Sequence, residues 1–251
     1  MTMHLAAFYQ SVNPAGALTQ IDAVPDQAIS TNNVNLVVPS AVNNLLGEVA
    51  LSASTGPLYG QVQSPSLRQL ANQDVLPILA AVTFGGNPIG SYHFMNPRQL
   101  VANESLNFAI NATGGAAAAN YGLVFLGDGA VKPTTGNMFT VRATGAAALA
   151  AGTWVNTPLT FDESLPSGTY QVVGFRAVGT NLVAARMVFL GSGWCPGVPA
   201  QNAVGDRDWD YGRYGALGVF GQFDVNQPPT VDCLGVTDTA QTFVLDLIKS
   251  Q

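Results

Sequence analysis

The sequence predicts an all-β protein built as an antiparallel β-sandwich, and three observations carry that expectation. Short apolar runs recur along the chain between clusters of Gly, Pro, Asn, Asp and Ser, which is the punctuation of strands and turns. Several runs are rich in Val, Phe and Tyr, whose branched or flat side chains suit a pleated, half-buried surface. Helical signal is confined to fragments: Ser40–Leu46 and Ser66–Ala71 suffice for a turn or two, and the alanine-rich Gly115–Ala119 and Thr144–Ala151 read as flexible loops. The expected strand share exceeds roughly 40%, against an ordinary share of about 20–25%, with helix under roughly 15%.

In chain order, residues 1–40 are polar and broken by Pro14, Pro25 and Pro39. They read as an extended N-terminal arm with one strand at Val34–Val38, an arm that would fray alone but could tie neighbours together. Strands are then expected at Leu45–Leu51, Val75–Phe84, Leu106–Ile110, Tyr121–Leu126, Phe139–Val141, Tyr170–Val178, Leu182–Leu190, Val219–Val225 and Phe243–Ile248. Tyr170–Val178 and Leu182–Leu190, joined by Gly-Thr-Asn, give the best hairpin signal, because Gly and Asn supply the positive φ of a tight turn. Both are apolar at nearly every position, which predicts burial on both faces. Loop composition at Lys132–Gly136 suggests a division into 41–131 and 137–251, either two parts of one elaborated sandwich or two compact sandwiches in tandem. A faint echo links Glu104-Ser-Leu106 and Val124–Gly127 to Glu163-Ser-Leu165 and Val188–Gly191, suggesting a repeat of about sixty residues.

Composition limits the function. Only 10% of the 251 residues are charged, against a usual share of about 25%, while 47% are hydrophobic. Such a chain is expected to hide much of its surface against copies of itself or other partners, the alternative being a monomer surfaced with Ser, Thr, Asn, Gln and Gly. The net charge is −6, and Lys132, Lys249 and the arginines form no basic run, so no direct nucleic-acid binding is expected. The N-terminus lacks the pattern of a signal peptide. The longest apolar stretch, Val75–Phe84, contains a proline and falls far short of the ~20 residues of a membrane helix, so no transmembrane segment is expected. Cys195 and Cys233 form no CxxC and read as reduced thiols without zinc.

Motifs for chemistry are weak. Asp206, Asp208 and Asp210 have the alternating spacing of a calcium loop, but Tyr211 stands where the turn glycine belongs and no bidentate Glu follows, so no metal is expected. Trp194, Trp209, Tyr211, Arg213 and Tyr214 are interface candidates, since aromatics and Arg dominate contact hot spots. His93 has no G-x-S-x-G serine to serve, Cys195 has no evident base, and phosphate loops are absent. Glu104 and Glu163 share a Glu-Ser-Leu context that suggests a turn or cap. The expectation is a non-enzymatic protein without cofactors.

The broken arm, the Gly/Ala loops, Gly168-Thr-Tyr-Gln-Val-Val-Gly-Phe175 leading into Ala184-Ala-Arg-Met-Val-Phe-Leu190, and the closing strand Thr242–Ile248 resemble jelly-roll capsid proteins of tailless bacterial viruses. The resemblance spans residues 40–251 and is one of texture rather than of a diagnostic motif. It implies a jelly roll in an icosahedral shell, with trimers or pentamers of the chain as units and other virion proteins as partners. The protein would then reside in the virion after assembly in the host cytoplasm. The alternative is a binding module, such as a virion spike or a carbohydrate-binding sandwich, with Trp194, Trp209, Tyr211 and Tyr214 as a stacking platform.

Overall fold

The computed structural model describes residues 2–68, 73–75, 77–79, 90–201 and 212–250. It is 52% strand and 3% helix, as an all-β sandwich requires. The helical pieces are one turn at Pro65–Arg68 and a 3-10 turn at Ser40–Val42. Glu104 secures the first: its carboxylate accepts the Ser66 N–H at 3.0 Å and the Val101 N–H at 3.1 Å.

Sixteen principal strands form two sets of eight. The first set is β1 (Met3–Val12), β2 (Thr19–Ala23), β3 (Asn44–Ser52), β4 (Pro57–Gln63), β5 (Gln73–Val75), β6 (Gly90–Tyr92), β7 (Ser105–Ala112) and β8 (Ala118–Gly127). The second is β9 (Met138–Gly145), β10 (Val155–Pro158), β11 (Thr169–Val178), β12 (Leu182–Val188), β13 (Gly197–Pro199), β14 (Gly221–Asp224), β15 (Thr230–Gly235) and β16 (Gln241–Lys249).

The pairings repeat strand for strand. In the first set one sheet runs β1-β8-β3-β6 and the other β2-β7-β4-β5, all antiparallel. In the second set the sheets run β9-β16-β11-β14 and β10-β15-β12-β13. Even a minor feature recurs: after β5, Pro77–Leu79 pairs in parallel with the end of β3, and after β13, Gln201 bridges in parallel to Val178 at the end of β11. Eight antiparallel strands in two facing sheets with this order are a jelly roll. The chain is two compact jelly rolls in tandem, and it passes from one to the other between Gly127 and Met138.

This arrangement revises three expectations. Residues 1–40 are not an arm: β1 is paired along its length with β8 and touches β2 at Phe8 and Tyr9, and Met3–Phe8 is wholly buried. Tyr170–Val178 and Leu182–Val188 do not form a hairpin, because β11 pairs with β16 while β12 pairs with β13 and β15; the short connection crosses between sheets. The sixty-residue echo also fails, since Val124–Gly127 ends the last strand of roll one whereas Val188 ends the fourth strand of roll two.

Alternation explains the packing. On β1, β8 and β3, one face carries Ala6, Phe8, Val124, Leu126 and Ala50 into the core of roll one. The opposite face carries Leu5, Ala7, Leu123, Phe125, Val49 and Leu51, and these are equally buried. They lie against the outer face of sheet β10-β15-β12-β13: Tyr121 donates its hydroxyl to the Gly235 carbonyl at 2.9 Å, and Leu5 packs where a Cβ on Gly197 would stand. The core of roll two is continuous with this contact. The molecule is therefore a stack of four sheets, and the middle two are apolar on both faces, which is why β12 lacks alternation.

Candidate functional site

A polar cluster lies at the contact between the rolls, and it begins with a charge in an apolar strand. Alternation on β12 aims Arg186 away from the core of roll two and towards roll one. Its side chain is 2% exposed. A buried guanidinium is tolerated only when its donors are met, and here they are. Nε and Nη2 reach Asp232 Oδ2 of β15 at 3.1 Å. Nη1 donates to the Leu5 carbonyl at 3.2 Å and to Asp26, in the connection after β2. The guanidinium carbon lies 4.2 Å from the centre of the Trp154 ring, a cation–π contact.

His4 of β1 completes the cluster. Its Nδ1 accepts the Cys195 backbone N–H at 3.1 Å, so the ring proton sits on Nε2, which donates to Asp26 Oδ2 at 3.0 Å. The Leu5 N–H in turn donates to the Cys195 carbonyl at 3.0 Å. Burial lowers the His4 pKa and keeps the ring neutral. For Asp26, burial alone would raise the carboxyl, but the His4 hydrogen bond and the Arg186 charge outweigh it and hold the group well below its ordinary value. Burial pushes the Cys195 thiol up to about 11, the reverse of what a nucleophilic thiolate needs.

Two cavities open beside this cluster. The larger, about 720 Å³, is lined by Gln27, Asn156, Ser192, Trp194 and Thr230 among others; the smaller, about 300 Å³, by Thr153 and Trp154. Both share Gln27, Asn156, Arg186 and Asp232. The Asn156 amide donates to Thr230 Oγ1 and Asp232 Oδ1, each at 2.8 Å, which fixes the wall between them. The buried indole nitrogen of Trp154 has no hydrogen-bond partner. Aromatic rings beside oriented amide and carboxylate groups can hold a polar organic ligand.

Of the residues singled out by sequence, Trp194 lines the larger cavity, its ring 5.8 Å from that of His4. Arg213 is buried and bidentate to Asp246, at 2.6 and 2.8 Å. Asp246 also accepts the Thr140 hydroxyl at 2.7 Å and the Tyr214 N–H at 2.9 Å, bonds that offset its burial and lower its pKa. This pair fastens the segment before β14 to the outer face of sheet β9-β16-β11-β14 and leaves Tyr214 exposed. Trp209, Tyr211, Asp206, Asp208 and Asp210 lie outside the described residues. Among the described residues no group of three or more His, Cys, Asp or Glu side chains converges as metal ligands, and no helix is long and apolar enough to cross a membrane. His93 stands 3.6 Å from the buried Glu48 carboxylate.

Sequence reasoning missed His4, Asp26, Trp154, Asn156, Arg186 and Asp232. One signal was present: an arginine inside Ala-Ala-Arg-Met-Val, in a strand expected to be buried on both faces, demands carboxylates from elsewhere.

No protein-family model and no curated protein matches the chain. Among solved structures, it is similar to a xanthan lyase of Paenibacillus at 12% identity and a TM-score of 0.26, over 99% of this chain and 25% of that one. The chain thus spans about a quarter of the lyase. It is also similar to the major capsid protein P2 from Bacteriophage PM2 at 9% identity and a TM-score of 0.23, over 97% of each chain. Strand pairing, rather than these likenesses, defines the molecule as a tandem jelly-roll protein with a polar cleft between its rolls.

Proposed function

We propose that the chain is a structural shell protein that assembles with copies of itself into a virion capsid. The carrying observation is the way its two rolls meet. Inside the chain the outer face of sheet β1-β8-β3-β6 covers the outer face of β10-β15-β12-β13. The counterparts of these sheets, β2-β7-β4-β5 and β9-β16-β11-β14, turn their outer faces to opposite ends of the stack, the second carrying the segment held by Arg213. Two copies can therefore repeat the same kind of contact head to tail. Such heterologous contacts close into a ring when the rotation divides the circle. A ring of three would set six rolls of like topology about one axis, a unit suited to tiling a facet.

The end faces are complementary in chemistry. On β2-β7-β4-β5 the Gln20, Gln63 and Gln61 amides form a hydrogen-bonded row ending on Asp74, at 3.1, 2.7 and 2.7 Å. On β9-β16-β11-β14, Arg142 and Arg176 flank Val244 in register, and Arg142 is paired with Asp162. Polar complementarity of this kind sets register and partner choice. The low charged fraction supports the same reading.

Sedimentation velocity and electron micrographs of the purified protein test the proposal. The expected result is a ring-sized oligomer or a larger particle, and Gln61→Arg, which sets a cation against the arginine face, should shift it to monomer. A monomer at the highest attainable concentration would end the shell reading.

A further inference from the structure

The cleft at the roll–roll contact is more than a structural clamp requires. Arg186, Asp26, Asp232 and His4 satisfy one another, yet two cavities of about 720 and 300 Å³ open on either side of the wall they form. We propose that this cleft is a glycan-binding site that takes a neutral hexose unit, independently of whether the chain builds a shell.

The chemistry of the walls selects the ligand class. Trp194 lines the larger cavity and gives a flat apolar surface on which the C–H face of a sugar ring can rest, while Trp154 lines the smaller with one face covered by Arg186. Gln27, the Asn156 carbonyl and the Thr230 hydroxyl supply the mixed donors and acceptors that vicinal hydroxyls need. Asn156 and Asp232 are already oriented by their mutual bond at 2.8 Å, so little order must be created on binding.

Charge argues against the alternatives. Among the described residues the cation in the cleft is Arg186, and its donors are engaged by Asp26, Asp232 and the Leu5 carbonyl, so an anion finds no free guanidinium among them. The two carboxylates are likewise engaged, Asp26 by Arg186 and His4 and Asp232 by Arg186 and Asn156, which leaves little for a cationic ligand. A fully apolar ligand would leave the amides and hydroxyls of the walls unpaired, at a cost. A neutral polyhydroxylated ring meets all three conditions.

The test uses the full chain and a panel of neutral disaccharides (maltose, cellobiose and lactose), with sialyllactose and trilysine as charged controls. Binding is read by tryptophan fluorescence and by saturation-transfer NMR. At least one neutral sugar should give a saturable response, weakened about tenfold in Trp194→Ala and in Asn156→Ala, with the charged controls weaker. Trp194→Phe keeps a flat ring and should retain most of the affinity, and thermal melts of each variant separate lost binding from lost folding. No saturable response to any neutral sugar, tighter binding of a charged control, or a response unchanged in folded Trp194→Ala and Asn156→Ala would each overturn the proposal. An assembled shell with no sugar response would sink this inference alone.

Discussion

Arg186 shows how one side chain can hold two rolls together. Its partners come from both: Leu5 and Asp26 from the first, Asp232 and Trp154 from the second. Arg186→Ala would leave the Asp26 carboxylate buried without its cation, so a loss of about 3–5 kcal/mol is expected from urea denaturation. Arg186→Met combined with Asp26→Asn removes both charges and should recover much of it. His4 adds a dependence on pH. Its pKa in the folded chain lies below the ordinary 6.5, so the unfolded chain binds the extra proton first. Stability is therefore full above about 6.5 and falls as pH drops below it. Protonation would also set an Nδ1–H against the Cys195 N–H and break that bond. Melting temperatures between neutral and mildly acid pH check this, and His4→Gln should flatten the slope there. Asp26 and Asp246, whose pKa values are also depressed, add a further loss only as pH falls through the carboxylate range. Only the arginine in an apolar strand was legible in the sequence; its partners were not, because the cluster draws residues 4, 26, 186 and 232 from four separate elements with no common motif.

Strands fare better than their pairings. The apolar runs located β3, β7, β8, β9, β11, β12, β14 and β16, half of the principal strands, since burial and β-branching are local properties of the chain. The sheets they joined were not local. A Gly-Thr-Asn connection fits a hairpin turn and a crossing between facing sheets equally well, and only the partners β16 and β15 decide between them. β1 was overlooked because His4, Gln10 and Ser11 make its sequence look polar, while the partner that buries it, β8, begins at Ala118. Packing between facing sheets gives a sharper test. A Cβ on Gly122 of β8 would stand 2.4 Å from Cγ of Phe108 on β7, so the ring occupies the space a side chain would need. Gly122→Ala should cost about 1–3 kcal/mol by overpacking, read as a fall in urea midpoint. Phe108→Leu in the same chain should return part of that loss.

At the scale of the whole molecule, one buried cluster runs from roll one through the contact into roll two. The rolls should therefore unfold together, in a single calorimetric transition whose van't Hoff and calorimetric enthalpies agree. Two separated transitions would show that the contact is weaker than its apolar faces suggest. The pairing and burial of β1 also change what a truncation does. Removing residues 1–12 takes away the strand that pairs with β8 from Met3 to Val12 and carries Leu5 into the roll–roll contact. The expected outcome is loss of folding, detected by circular dichroism, rather than a folded subunit that merely assembles poorly. The doubled topology was only half visible beforehand: a division near Lys132 could be read from loop composition, but the two sets of strands share an order and not a recognisable sequence.

The closing of each roll by its first and last strands bears on how the protein is made. Met3 pairs with Gly127 and Met138 with Ile248, so neither roll can close until its final strand has been synthesised. Folding dominated by such distant pairings is slow, on the order of milliseconds to seconds even for small β domains. Roll one can close on the ribosome first, yet its face of Leu5, Leu123, Phe125 and Val49 then waits uncovered for β12 and β15. During that interval the nascent chain exposes an apolar sheet face of the kind that aggregates. The yield of soluble protein should accordingly rise with slower, cooler synthesis and with co-expressed chaperones.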